Sequence, residues 1–176
     1  TIGYVNGGLT IGRATLTLTG ANNSVTYNGQ SRSNSGAVLA GVQGTDSFTI
    51  TGYASGTAAG SYSDALGLVA NGATQLSNYT LGTINGSLTI DRAGLTLTGN
   101  TASVTYNGAA QANGYTITAG QLYGSDAITS VAGLASGTNA GTYLDNLSGA
   151  TGLGLENYTI GYVNGGLTIG RATLTL

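Results

Sequence analysis

Cysteine, proline, tryptophan, histidine and lysine are all absent from the 176 residues, and only 6% of the chain is charged. Each absence excludes something. Without cysteine, no disulfide contributes to stability, although the compartment is not thereby fixed. Without proline, turns rest on Gly and Asn. Without His, Cys or Lys, no serine or threonine has a usual activating base, which removes most nucleophilic catalysis. Lysine-based isopeptide crosslinks cannot form either. The four cations, Arg13, Arg32, Arg92 and Arg171, are spread along the chain, whereas binding to nucleic-acid phosphates or an anionic bilayer needs clustered Lys or Arg. No run of about 18 apolar residues is present, so no helical membrane span is expected. No signal peptide opens the sequence, which starts mid-pattern. Targeting elements are expected to lie outside it.

What is present is repeated. Residues 1–18 read TIGYVNGGLTIGRATLTL and recur letter for letter at 159–176, with a diverged copy, TLGTINGSLTIDRAGLTL, midway at 80–97. SVTYNG at Ser24–Gly29 returns at Ser103–Gly108, 79 residues on. ASGTAAGSYSD at Ala54–Asp64 returns as ASGTNAGTYLD at Ala135–Asp145, now 81 on. LSNYT at Leu76–Thr80 returns at Leu155–Thr159 at 79 again. Small insertions between fixed blocks are what loops tolerate. The unit is therefore about 79 residues long, and the chain is expected to come from a longer array of such units.

Its local signals are those of strands. Ala14–Gly20 reads ATLTLTG, where Leu16 and Leu18 alternate with threonines, the period of a half-buried strand. Further strands are expected near Ser24–Tyr27, Ser47–Tyr53 and Ser61–Leu66. Asn-Gly between short apolar runs at Asn164-Gly165, Asn85-Gly86 and Asn6-Gly7 predicts hairpins closed by type I′ turns. Glycine, 32 residues of the total, works against helices; one short helix or turn over Asp126–Val131 stays open. The expectation is an all-β chain of tandem, Ig-like small sandwiches of about 79 residues joined end to end. The runner-up is a β-grasp-like arrangement. Expected boundaries are 1–12 as the hairpin closing a preceding repeat, 13–91 and 92–170 as repeat domains, and 171–176 as the first strand of a following repeat. Only Asp91–Gly94 separates one repeat's closing strand from the next repeat's opening strand, so neighbouring repeats of the same chain are expected to be held end to end.

The order TYNG, then ASGTNAGTY, then NYTIGYVNGGLTI resembles the glycine-rich MBG/YDG repeats of filamentous-haemagglutinin-like adhesins, and the resemblance spans nearly the whole chain in two copies. It implies a Gram-negative bacterial protein exported by two-partner secretion. It also implies a surface-exposed, extracellular stalk that projects a distal binding domain. A looser resemblance is to the tyrosine corner of immunoglobulin-like sandwiches, carried by Ala-Gly-x-Tyr at Ala59–Tyr62 and Ala140–Tyr143. That motif implies a tyrosine bonded back to the backbone. Two residues on, Asp64 and Asp145 stand where an inward side chain is expected, and a buried carboxylate is costly unless bonded.

Tyrosine supplies eleven of the twelve aromatics. The pairs Tyr27/Tyr106, Tyr62/Tyr143 and Tyr79/Tyr158 recur at matching positions. They are read, with Asn85, Gly86, Asn164 and Gly165, as structural repeat positions. The competing reading makes tyrosine-bearing faces a site for surface glycans or host proteins; Tyr115 and Tyr123, which have no tyrosine counterparts in the first repeat, do not favour it. No catalytic or cofactor-binding residue is assigned, and no enzyme activity is expected. Paired carboxylates, Asp46 with Asp64 or Asp126 with Asp145, are the only acid–base chemistry left. The DxDxDG loop is missing, so a structural calcium ion on turn carboxylates is the only metal left open, against plain Asx-turns. The threonine run at Thr15–Thr19 is broken in its copy by Gly94, which does not suit an ice-binding face. Asn-x-Ser/Thr sequons stand at Asn22, Asn78, Asn85, Asn146 and Asn157.

Overall fold

The computed structural model describes residues 2–176. The chain is all-β. Apart from two 3-10 turns, at Leu76–Asn78 and Leu155–Asn157, every regular element among the described residues is a strand. It divides into two compact units. The first comprises Thr1–Val25, Ser31–Gly56 and Ser61–Thr89; the second comprises Thr26–Gln30, Thr57–Gly60 and Ile90–Leu176. Two short stretches of the first repeat's sequence thus belong to the second unit.

The first repeat supplies β1 (Ala14–Thr19), β2 (Asn22–Thr26), β3 (Arg32–Ser33), β4 (Val38–Ala40), β5 (Phe48–Thr51), β6 (Ser55–Gly56), β7 (Gly60–Ser63), β8 (Gly67–Ala70), β9 (Tyr79–Ile84) and β10 (Ser87–Asp91). They form three-stranded sheets in the orders β4-β1-β9 and β2-β10-β7, with two-stranded pairs β3-β6 and β5-β8. The second repeat supplies β11 (Ala93–Gly99), β12 (Thr101–Thr105), β13 (Gln111–Ala112), β14 (Tyr115–Ala119), β15 (Ala127–Ala132), β16 (Ser136–Gly137), β17 (Gly141–Leu144), β18 (Ser148–Leu153), β19 (Tyr158–Val163) and β20 (Gly166–Gly170). Their sheets repeat the plan: β14-β11-β19, β12-β20-β17, β13-β16 and β15-β18.

The alternation read in ATLTLTG is the core pattern. Leu16 and Leu18 are wholly buried, as are Leu95 and Leu97 at the matching places. Leu88, Leu167 and Ile169, on the other three-stranded sheet of each repeat, are wholly buried too, and Leu167 and Ile169 cluster with Ala135, against which Ala102, Val104 and Tyr143 pack. Threonines on the other strand face stay exposed, so each strand buries one side, as period-two patterning requires.

The Asn-Gly hairpins do not form. β19 pairs in parallel with β11, Ala93 opposite Tyr158 through Thr98 opposite Val163, while β20 pairs in parallel with β12 and antiparallel with β17. Asn164-Gly165 therefore carries the chain from one sheet into another, and neither residue has a positive φ. The same holds at Asn85-Gly86, where β9 runs parallel to β1 and β10 lies in the other sheet. Glycine is demanded here by proximity. A Cβ on Gly86 would fall onto the backbone of Ala21, and one on Gly165 onto the carbonyls of Gly99 and Asn100. The paired segments cross between sheets side by side, joined by Gly20 N–H to the Ile84 carbonyl (2.8 Å) and Ser87 N–H to the Ala21 carbonyl (3.1 Å). The asparagines serve as connectors: Asn85 Oδ1 accepts from Leu66 N–H (3.0 Å), and Asn164 Oδ1 from Leu147 N–H (2.8 Å).

Two further expectations are corrected. Residues 2–12 contain no strand, so the hairpin at Asn6-Gly7 is not formed, and Ile2, Tyr4, Val5, Leu9 and Ile11 are exposed. The same letters at 160–170 form β19 and β20 because β11, β12 and β17 pair with them there. Tertiary pairing decides the conformation of this peptide, not its propensity. Over Asp126–Val131 the chain is extended, as β15 pairs with β18, and no helix forms.

Candidate interaction site

Asp64 and Asp145 are the most deeply placed carboxylates, 3% and 4% exposed. Each is held by a complete set of donors. Asp64 accepts from Ala54 N–H (2.7 Å) and from the Asn34 amide at both oxygens (3.0 and 2.8 Å). Asp145 accepts from Ala135 N–H (2.7 Å), the Asn113 amide (2.8 Å) and Gly165 N–H (3.1 Å). The cost of burying an inward carboxylate is thus offset by bonds to the charged form. The back-bond expected of a tyrosine corner forms two residues earlier: Tyr143 O–H donates to the Asn139 carbonyl at 3.0 Å, with its ring over Gly137. Tyr143 and its counterpart Tyr62 are half-buried. These residues belong to the framework and offer no open face.

The other tyrosine pairs behave differently. Within the second unit, Tyr27, Tyr123 and Tyr158 gather round Asp126. Tyr27 O–H and Tyr158 O–H both donate to Asp126 Oδ2, each at 2.8 Å. The Tyr158 oxygen in turn accepts from Tyr123 N–H at 2.8 Å. Tyr27 stands edge-on to Tyr158 and Tyr123, with ring centroids 5.5 and 5.9 Å apart, while Tyr123 and Tyr158 stack. Edge-to-face pairs of this kind add to plain burial. Tyr27 N–H donates to the Asp91 carbonyl (2.8 Å), and the neighbouring stretch is fixed by Ala59 N–H donating to Asn157 Oδ1 (2.8 Å). Burial, reinforced by the Asp126 carboxylate, holds the phenol pKa of both Tyr27 and Tyr158 above the ordinary value.

The first unit carries a smaller tyrosine–aspartate pair at the matching place, with Gln43 where the second unit has Tyr123. Tyr79 O–H donates to Asp46 Oδ2 at 2.5 Å and accepts from Gln43 N–H at 3.2 Å, with Phe48 edge-on to its ring at 5.4 Å. The hydrogen bond to Asp46, then burial, raises the Tyr79 pKa. Asp46, Gln43, Asn78 and Tyr79 correspond in sequence to Asp126, Tyr123, Asn157 and Tyr158. Beside them lies an open cleft of about 550 Å³, lined in part by Arg13, Gln43, Asp46, Ser77, Asn78 and Tyr79.

Tyr106 completes the comparison. It matches Tyr27 in sequence, and its N–H makes the same backbone bond, to the Gly170 carbonyl (2.8 Å). The turn that follows is also the same: Asn107 Oδ1 accepts from Ala109 N–H as Asn28 Oδ1 accepts from Gln30 N–H. Yet Tyr27 is 6% exposed and Tyr106 41%. Matching positions do not share an environment. Asp126 and Asp46, weighed in the sequence only as acid–base or turn carboxylates, are the acceptors that organise both sites; they lie 32 and 33 residues before Tyr158 and Tyr79, and the recurrence of an aspartate with the tyrosine in each repeat is the available signal.

Among the described residues, no three His, Cys, Asp or Glu side chains gather where a metal ion could be held, and no helix is long and apolar enough to cross a membrane. Asn157 is buried and bonded, which leaves its sequon sterically closed. No protein-family model, curated protein or solved structure matches this chain.

Proposed function

We propose that the chain is a pair of structural spacer repeats from the stalk of a large bacterial surface adhesin, extracellular and without enzymatic activity. In this reading each repeat is a small, Ig-like β-sandwich, and the stalk holds a distal binding domain away from the cell. One observation carries it. The second compact unit is built partly from the preceding repeat's sequence, Thr26–Gln30 and Thr57–Gly60, with Tyr27 at its aromatic cluster. Consecutive repeats that share folding units suit an array whose stability is a sum over units and their neighbours. Supporting it further, Tyr27, Tyr79 and Tyr158 are buried. Their hydroxyls are engaged by carboxylates, which suits a framework role for these three repeat positions better than sugar binding. The resemblance to haemagglutinin-like repeats supplies the surface role.

Small-angle X-ray scattering on this chain and on a four-repeat version tests the reading. A maximum dimension that roughly doubles supports a spacer. A four-repeat particle that stays compact, or scatters as a flexible chain, overturns it.

A further inference from the structure

We infer that each repeat is built to bear tension along the chain: its first and last strands form a parallel ribbon that an end-to-end pull loads in shear. The inference stands on strand pairing and not on the surface role proposed above.

The second repeat shows the ribbon in full. β11 pairs in parallel with β19 over six residue pairs, from Ala93 opposite Tyr158 to Thr98 opposite Val163. β12 pairs in parallel with β20 over five, from Thr101 opposite Gly166 to Thr105 opposite Gly170. Both ladders keep one offset of 65 residues, so a single register is carried across the change of sheet. Gly166 N–H donates to the Asn100 carbonyl (2.9 Å) between the two ladders, and Tyr106 N–H to the Gly170 carbonyl (2.8 Å) at the far end. Only Asn100 lies between β11 and β12, too little chain to reverse direction. The chain therefore enters at Ala93, at one end of the ribbon, and leaves at Gly170, at the other. At about 3.3 Å per residue the paired length is about 40 Å.

The direction of a pull decides how such a ladder fails. Tension between Ala93 and Gly170 slides one arm along the other, and the evenly spaced bonds of a parallel pair share the load. The core resists the same movement. Leu95 and Leu97 on the first arm, and Leu167 and Ile169 on the second, are wholly buried, so sliding drags close-packed side chains past their neighbours. Residues 107–157 form a loop closed by the ribbon and carry no tension until it parts. The first repeat has the same layout: β1 runs parallel to β9, again 65 residues apart, β10 lies beside β2, and Tyr27 N–H donates to the Asp91 carbonyl. Along the chain only Arg92 separates β10 from β11, so tension passes from one repeat's last strand to the next repeat's first without a slack linker.

The chain has no cysteine, so two introduced thiols define a pulling axis for optical-tweezers measurements on the full chain. Arg92→Cys with Arg171→Cys, both at exposed positions, pulls along the ribbon. Arg92→Cys with Glu156→Cys, also exposed, pulls the two arms apart from one end. At equal pulling speed the first axis should rupture at a force at least about threefold higher, because forced unfolding follows the unfolding barrier and the second axis breaks the bonds one after another. Rupture along the ribbon should release about 240 Å in one step, at about 3.6 Å per residue. In the first repeat, Arg13→Cys with Arg92→Cys and Arg13→Cys with Ser77→Cys are the matching axes, also at exposed positions, and should give the same ratio. Equal forces along the two axes in either repeat overturn the inference. So does a release along the ribbon in several steps that begin below the force that parts the arms. The repeats supply independent pairs, so if circular dichroism shows one double variant to be misfolded, the other repeat decides. A four-repeat particle that scatters as a flexible chain would overturn the spacer reading and leave this force ratio unchanged.

Discussion

Asn34 and Asn113 stand at the same place in the two repeats, and only Asn34 has its side-chain oxygen satisfied. Asn34 Oδ1 accepts from the Asn23 amide at 2.6 Å, whereas Asn113 Oδ1 is buried without a hydrogen-bond partner. The cause is one substitution between repeats: Asn23 is matched by Ala102. A buried, unpaired acceptor costs about 1–3 kcal/mol. Ala102→Asn is therefore expected to stabilise the second unit by about 1 kcal/mol, read as a higher urea midpoint with an unchanged slope.

The buried carboxylates should be far less tolerant. Asp145→Ala strands the Ala135 and Gly165 N–H groups and the Asn113 amide, all of which point at that carboxylate. The expected loss is about 3 kcal/mol or more. Thermal unfolding followed by circular dichroism would show it, and a loss under about 1 kcal/mol would mean that the cluster does not hold the unit together.

Glycines separate by position. Gly165→Ala drives a methyl group into the Gly99 and Asn100 carbonyls, where two backbones cross and neither can yield cheaply. A destabilisation of about 3 kcal/mol is expected. Gly94→Ala meets nothing within 4 Å at the second residue of β11. It should be neutral or stabilising by up to about 0.5 kcal/mol. Equal effects in parallel melts would contradict the crossing geometry.

Alkaline pH provides a different probe. The phenols of Tyr27, Tyr79 and Tyr158 hold their protons above the ordinary tyrosine value. In the unfolded chain they release them near pH 10. Their contribution is thus complete below about pH 10 and is lost as pH climbs through the folded-state values, since the folded state then binds more protons. Urea midpoints should be flat from about pH 7 to 9 and fall above 10. Replacing Tyr27 and Tyr158 by Phe should flatten that fall, and an unchanged slope would show that the Asp126 cluster is not its source.

The all-β class and the core stripe were legible in the sequence because they rest on local alternation: Leu16/Leu18 and Leu95/Leu97 are buried as the pattern requires. The hairpins were misread because Asn-Gly carries two physical meanings. It supplies positive φ in a turn, and it also supplies a missing Cβ where chains touch; only long-range pairing tells them apart. The tyrosine–aspartate cluster was half legible. Recurrence marked Tyr27, Tyr79 and Tyr158, but nothing local distinguishes a filled Tyr27 from an exposed Tyr106. Their difference depends on which segments lie nearby in space. The residue spacing between repeats is informative in retrospect. It stays at 79 through residues 14–41 and again at 76–91, and departs from this only between them, so the strands that cross together keep one register while β5, β8 and their connections vary.

That side-by-side crossing also governs the order of folding events. Ala14 pairs with Tyr79 and Ala93 with Tyr158, so the central ladder of each unit joins residues 65 apart. A nascent β1 has no parallel partner until the whole intervening segment has been made, and each unit must close a long loop before its main ladder contributes. Such chains nucleate slowly. Here the delay coincides with ambiguity, because residues 1–12 and 159–170 are identical peptides and only one of them has found its ladder. Refolding should therefore be slow and prone to strand exchange between copies.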